Sequence, residues 1–267
     1  MIVYINGKFI EKESAIISPF NSAFLYGEGI YATLRSYNGV PFRLSDHLER
    51  MNNSLSALGL KTIAKKNISD AVNELIKING LISARIRTTV SKNIETDEQI
   101  VLIETSEYQP SFPEIANAMI FSEKLAHGDK LRMHKTTNYF QNNLAYREAK
   151  SHGYDEAIFI DTENHILEGT RTNVFLVKDG VVFTPSLECG ILPGITRKVV
   201  FEICKELKIH IEEKILNVSE IADCDEVFLT NSLAEVVMVK KVNDKVYSQF
   251  MVSENILIEY KRRIYRS

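Results

Sequence analysis

Little in this sequence suits an extracellular, membrane or nucleic-acid setting. Its 267 residues hold three cysteines, Cys189, Cys204 and Cys224. None sits in a C-x-x-C pair, and the odd count predicts free thiols rather than a disulfide framework. No apolar run approaches the roughly 18 residues that a membrane-crossing helix requires. The opening "MIVYINGKFIEKES" has no basic stretch ahead of a long apolar core, which predicts no signal peptide. A net charge of −3 offers no basic excess for nucleic acid or an anionic membrane surface. Internal repeats, low-complexity tracts and a G-x-x-x-x-G-K-[ST] phosphate loop are also missing. What remains is 45% hydrophobic and 25% charged, the balance of a globular protein, expected in the cytoplasm without nucleic-acid or membrane partners.

The chain is long enough for two ordinary domains. Asn6-Gly7 and Asn38-Gly39 each join two alternating segments, and both residue types tolerate the positive φ of a tight hairpin. Leu44, Leu48, Met51, Leu55 and Leu58 recur at helical spacing, with Ser45 as expected cap and Gly59 as expected stop. "SDAVNELIKING" predicts a second helix, capped by Ser69 and ended near Gly80, and "ARIRTTVS" and "QIVLIETSE" predict strands. Pro110 and Pro113 mark "EYQPSFPEIAN" as a linker, with a new strand expected from "AMIFSEK". Beyond it, "NNLAYREAKSHG", "GITRKVVFEICKELKI" and "SENILIEYKRRIYR" predict helices, while "DEAIFID", "NVFLVKDGVVFTP" and "EVFLTNS" predict strands. In the middle helix Ile195, Val199, Ile203 and Leu207 form one stripe. The expected organisation is two α+β domains, 1–113 and 114–267, with a ligand site at their boundary.

Four stretches carry candidate chemistry. "HKTTNYFQNN" contains Lys135, which is a solvated lysine unless its surroundings favour the neutral amine that attacks a carbonyl. "ILEGTRTNVFLV" puts Glu168 at a strand end, where a surface turn competes with a carboxylate that faces a positive partner. In "GILPGITRKVV" a helix starts directly after Pro193-Gly194, with Ile195 and Thr196 in its first turn; free amides and the helix dipole suit an anion there. "EVFLTNSLAEV" runs a strand into Thr230, Asn231 and Ser232, which form either a plain polar turn or a set of donors. Taken together, a lysine, a carboxylate and two anion cradles are what pyridoxal 5′-phosphate needs.

The order of these motifs resembles the class IV (fold type IV) aminotransferases across nearly the whole chain. The residues that carry it are Lys135, "EGTRTNVF" at 168–175, "LPGITR" at 192–197 and "TNSLAE" at 230–235. "FLYGEGIYATLRSYNG" and "RLSDHLERM" resemble the family's first-domain motifs. The resemblance implies an α+β, two-domain, pyridoxal-phosphate-dependent homodimer. Lys135, in the C-terminal domain, would bind the cofactor aldehyde and move the substrate proton. Glu168 would pair with the pyridine nitrogen. Arg50, Ile195, Thr196, Asn231 and Ser232 would hold the phosphate. Tyr31, Thr33 and Arg87 would face the substrate, and no metal is expected. The implied activity is amino transfer between an amino acid and a 2-keto acid.

Three branches of the family compete. The spacing "KTTNYFQNNLA" resembles the D-amino acid aminotransferases and the 4-amino-4-deoxychorismate lyases more than the branched-chain enzymes. The loop "KNIETDEQ" lacks the R-x-H pair of the D-amino acid branch, whereas Thr33 and Arg85-Ile86-Arg87 suit the lyases. The alternative reading is therefore a lyase that forms 4-aminobenzoate and pyruvate. A non-catalytic binding module is disfavoured by the joint presence of Lys135 and Glu168.

Overall fold

The computed structural model describes residues 1–110 and 112–266. The chain forms two compact units. The first holds Met1–Gln109 together with His134–Tyr139, and the second holds Pro110–Met133 with Phe140–Arg266. The expected division assigned Lys135 to the second domain; its packing assigns it to the first.

The strands of the first unit are β1 (Ile2–Ile5), β2 (Lys8–Glu11), β3 (Ile30–Tyr37), β4 (Val40–Pro41), β5 (Ala84–Lys92) and β6 (Gln99–Glu107). They form one antiparallel sheet in the order β2-β1-β6-β5-β3-β4. Both Asn-Gly turns form as expected, with φ of 44° and 90° at Asn6 and Gly7 and of 50° and 78° at Asn38 and Gly39. Beside the short helix α1 (Ser22–Tyr26) lie two longer ones, α2 (Leu44–Ala57) and α3 (Lys65–Ile78). Leu48, Met51, Leu55, Val72 and Leu75 from these helices share one core with Ala32, Leu34, Ile86 and Ile103 of the sheet. Each buried side chain of this size contributes about 1.5–3 kcal/mol of transfer energy. Since β-strand side chains alternate, Tyr31, Thr33, Arg85 and Arg87 fall on the face opposite that core.

Both expected caps are corrected. Ser45 and Ser69 lie inside their helices, which start after Arg43 (φ 56°) and Ala64. Neither start has a side-chain cap, because the apolar stripe and not a cap fixes where each helix packs. Leu58 ends α2 as its C-cap and is exposed, so the stripe stops at Leu55.

The second unit has the strands β7 (Ile115–Ile120), β8 (Glu156–Ile160), β9 (Ile166–Gly169), β10 (Asn173–Lys178), β11 (Val181–Pro185), β12 (Ile211–Lys214), β13 (Glu226–Asn231), β14 (Glu235–Val242) and β15 (Lys245–Val246). They form a mixed sheet in the order β12-β11-β10-β13-β14-β7-β8-β9, with β15 added to β14. Helices α4 (Phe140–Ser151), α5 (Ile195–Leu207) and α7 (Met251–Arg266) pack on it, and α6 (Glu220–Asp223) is a single turn. Strand β7 begins at Ile115, inside the expected linker, where it pairs in parallel with β14. In α5, Ile195, Val199 and Ile203 are buried as expected, but Leu207 is exposed at the helix end. Among the described residues no helix is long and apolar enough to cross a membrane.

Candidate active site

The lysine segment belongs to the edge of the first sheet. The amide of Tyr31 donates to the Lys135 carbonyl at 2.9 Å, and the amide of Thr137 donates to the Gly29 carbonyl at 2.8 Å. The Thr137 hydroxyl donates to the Gly27 carbonyl at 2.7 Å. This approach needs glycine. A Cβ on Gly29 would lie 2.9 Å from the Thr137 hydroxyl, and one on Gly27 would lie 3.0 Å from the Asn138 Cβ. Gly27 also adopts φ +71°, the left-handed C-cap of α1. On the other side, His134 Nδ1 and the Ser54 hydroxyl of α2 are 3.0 Å apart. The polar residues around Lys135 thus hold its backbone in place.

The half-buried Lys135 extends its amine over aromatic rings. Nζ is 4.8 Å from the centre of the Tyr31 ring and 5.7 Å from that of Tyr139. The Arg87 guanidinium stands 3.9 Å from the same Tyr31 ring, and Arg87 is the cross-strand partner of Thr33. The expected substrate residues Tyr31, Thr33 and Arg87 are therefore neighbours, and Tyr31 links them to Lys135. Three other arginines have partners of their own. Arg35 lies over Tyr37 and Tyr108, Arg85 pairs with Glu104 at 3.5 Å, and Arg171 stacks 3.8 Å over Tyr146. Arg50 lies half-buried on α2, one turn from the buried His47. Burial, aided by the charges of Arg50 and Lys135, holds the His47 imidazole well below its ordinary range, so it is neutral.

A second group of residues comes together in the second unit. Glu168, buried near the end of β9, accepts from Arg132 Nη2 at 3.4 Å and from the Leu192 amide at 3.1 Å. The Leu192 carbonyl accepts from the Asn173 side-chain amide at 2.9 Å, and the Asn173 oxygen occupies the space that a Cβ on Gly194 would fill. Gly194 caps α5 with no side-chain hydrogen bond, so the first-turn amides at buried Ile195 and Thr196 are free of a capping side chain. Strand register sets Asn173 opposite Thr230. The Thr230 hydroxyl is buried with no hydrogen-bond partner. The Asn231 side-chain oxygen is committed to the turn, where it accepts from the amides of Leu233 and Ala234 at 2.9 and 2.7 Å. The donor left on that side chain is its amide group, next in sequence to Ser232.

Beneath this group lies Glu156, fully buried on β8 and missed at the sequence level. Its carboxylate accepts from the amide of Thr170 at 3.1 Å, from the Thr172 hydroxyl at 3.0 Å and from the Thr170 hydroxyl. It braces the loop between Glu168 and Asn173, and burial raises its pKa. A charged residue within the expected strand "DEAIFID", directly ahead of the apolar run "AIFI", was the available signal. Arg132 had no comparable signal, whereas Thr230 was read with Asn231 and Ser232 as a candidate donor.

Known proteins share this fold. Residues 29–242 match the amino-transferase class IV family, and the chain belongs to that family. The aminodeoxychorismate lyase of Bacillus subtilis is 30% identical over 92% of this chain and 88% of its own. The branched-chain-amino-acid aminotransferase of Escherichia coli K12 is 29% identical over 90% and 84%. A branched-chain aminotransferase of Thermoproteus uzoniensis, solved with norvaline, superposes with a TM-score of 0.94 at 29% identity, over 99% of this chain and 94% of that one. Another branched-chain amino acid aminotransferase, solved with pyridoxamine 5′-phosphate, gives 0.91 at 26% identity over 98% and 93%. Two of the three branches weighed from the sequence, the branched-chain aminotransferases and the aminodeoxychorismate lyases, thus occur among these relatives.

Proposed function

We propose that the chain is a pyridoxal-phosphate-dependent aminotransferase that moves an amino group between an amino acid and a 2-keto acid. The observation that carries this reading is Lys135, whose amine faces the ring of Tyr31 together with Arg87. The donor set fits the cofactor. The buried hydroxyl of Thr230 lacks a partner, and the α5 start lacks a capping side chain, as an anion cradle requires. When bound, pyridoxal phosphate supplies an aldehyde for amine exchange and a ring that takes up electrons from the substrate α-carbon. Lys135 would bind that aldehyde and then carry the α-proton. Glu168 would hold a proton at the ring nitrogen. Ile195, Thr196, Asn231, Ser232 and Arg50 would hold the phosphate. Arg87 would take the substrate carboxylate, since it is the cation that shares Tyr31 with Lys135.

A second reading, aminodeoxychorismate lyase, is favoured by Thr33 beside Arg87 and by the Bacillus subtilis relative. We also propose a homodimer. The exposed Ile16, Phe24 and Tyr26 supply apolar surface for a second copy. The test loads the protein with pyridoxal phosphate and adds L- and D-amino acids one at a time. The visible cofactor band is expected to shift with at least one of them as keto acid forms, and to be missing in Lys135→Ala. Formation of 4-aminobenzoate and pyruvate from aminodeoxychorismate would instead select the lyase. No keto acid from the whole panel would reject the aminotransferase.

A further inference from the structure

The second unit holds a group of metal-ligating side chains that includes none of the proposed cofactor residues. His127, Asp161 and His165 bring their ligand atoms within 4.8 Å of one another. Asp161 is fully buried. Its Oδ1 accepts from the amides of Glu163 and His165 at 2.9 and 2.8 Å, which fixes the carboxylate. The other oxygen, Oδ2, meets Nδ1 of His127 at 2.6 Å and Nδ1 of His165 at 3.1 Å. Two imidazoles from separate segments thus converge on one oxygen.

The backbone that presents them is rigidly paired. The Leu125 amide donates to the Ile160 carbonyl and the Thr162 amide donates to the Leu125 carbonyl, each at 2.9 Å. The turn back to His165 uses Asn164 at φ 65°, and the Asp161 amide donates to the His165 carbonyl at 3.0 Å. His127 keeps 40% of its side chain exposed, which gives an ion a way in and leaves room for water ligands. Glu163 Oε2 lies 3.8 Å from His165 Nδ1 and adds negative charge beside the group.

We propose that His127, Asp161 and His165 bind one Zn²⁺ or a chemically similar divalent transition-metal ion. Two imidazole nitrogens and one carboxylate suit Zn²⁺, whereas Ca²⁺ and Mg²⁺ take oxygen-rich shells. Ligands of a tetrahedral zinc at bonds of about 2.0–2.2 Å stand about 3.3–3.5 Å apart. The Nδ1–Oδ2 distances of 2.6 and 3.1 Å must therefore open by less than an ångström, a movement that the exposed His127 permits. On binding, each neutral imidazole moves its proton from Nδ1 to Nε2, so the nitrogen lone pair passes to the metal. The ion would staple the segment ahead of Arg132 to the turn that leads into β9 and Glu168.

The test uses untagged holoenzyme, stripped with a chelator and freed of excess cofactor. It is titrated with Zn²⁺ in a calorimeter, and Co²⁺ serves as a spectroscopic probe. One equivalent of Zn²⁺ is expected, with a tetrahedral visible spectrum for Co²⁺. His127→Ala and His165→Ala should each weaken binding about tenfold or more. Zn²⁺ should raise the melting temperature of the parent but not of His127→Ala, and the cofactor band should be the same in both. Absence of binding, or equal affinity in the parent and the His127→Ala/His165→Ala double variant, overturns the proposal. Because His127 is exposed, its variant is expected to fold even where Asp161→Asn does not.

Discussion

The carboxylate of Glu156 is expected to be the main brace of the loop that follows Glu168. Four donors besides its own neighbour converge on it within hydrogen-bond distance, namely the Thr170 amide, the Thr170 and Thr172 hydroxyls and, at a longer 3.4 Å, the Arg171 amide. The Thr170 amide keeps a second acceptor in the Ala157 carbonyl, at 3.0 Å, so the two hydroxyls carry most of the loss when the carboxylate is removed. Glu156→Ala takes this acceptor from both of them and opens a small cavity. A buried polar group that loses its partner costs about 1–3 kcal/mol, so the two losses and the cavity amount to about 3–5 kcal/mol. Glu156→Gln retains one acceptor oxygen and the volume, and should cost about 1–2 kcal/mol. At about 2–4 °C per kcal/mol for a chain of this size, Glu156→Ala should melt about 10 °C below the parent. The affinity for pyridoxal phosphate should fall in the same order, since Asn173 anchors the loop to Leu192 and so to the α5 start. Thermal melts and cofactor titrations of the two variants supply the comparison. If Glu156→Ala melts within a degree or two of the parent, the loop does not depend on this carboxylate and the bracing argument fails.

Stability should fall as pH drops through the range where an ordinary histidine protonates. His47 stays neutral in the folded chain, because its pKa is lowered there, while an unfolded histidine takes up a proton near about pH 6.5. Below that pH the unfolded state binds the extra proton, so His47 adds a slope of up to about 1.4 kcal/mol per pH unit; denaturation of His47→Gln should lack that component. Gly194→Ala drives a Cβ into the Asn173 side chain, at a cost of about 1–3 kcal/mol for overpacking. Its cofactor affinity should drop more than its melting temperature, which a titration beside a melt would reveal. Glu226 accepts from the amides of Val252 and Ser253 and from the Ser253 hydroxyl, so it caps α7. Glu226→Ala should cost about 1–2 kcal/mol, and hydrogen exchange should locate the loss in the first turn of α7.

Local chemistry made some elements readable and hid others. The Asn-Gly hairpins were legible because the residue types dictate the backbone, and the helices because a run of apolar residues at helical spacing leaves little choice of face. Helix starts were not legible. Ser45 and Ser69 are good caps, but Arg43 enters α2 in the left-handed region and Ile68 sets the packing of α3, so tertiary contacts overrode the local preference. Strand β14 was missed for a different reason. Its first five residues are buried on both faces, so they show no alternation to read.

The candidate site divides along the same line. Lys135, Glu168 and the "LPGITR" start were found because motif order reports them, but what holds them in place lies far away in sequence. Thr137 and Gly27 are 110 residues apart, yet the threonine hydroxyl reaches the glycine carbonyl and the missing Cβ of Gly29 leaves room for the threonine side chain. The glycines of "GEG" and the threonines of "KTT" are one contact written in two places. A substitution at either would move the backbone of Lys135 without touching its amine. The same holds in the second unit, where Arg132 orients Glu168 and carries no signal of its own, and the Leu192 amide joins it from the "LPGITR" start. Residues that perform chemistry must have particular side chains and so leave a pattern. Residues that position them need only a donor or a missing Cβ at the right distance, and only the fold reveals which those are.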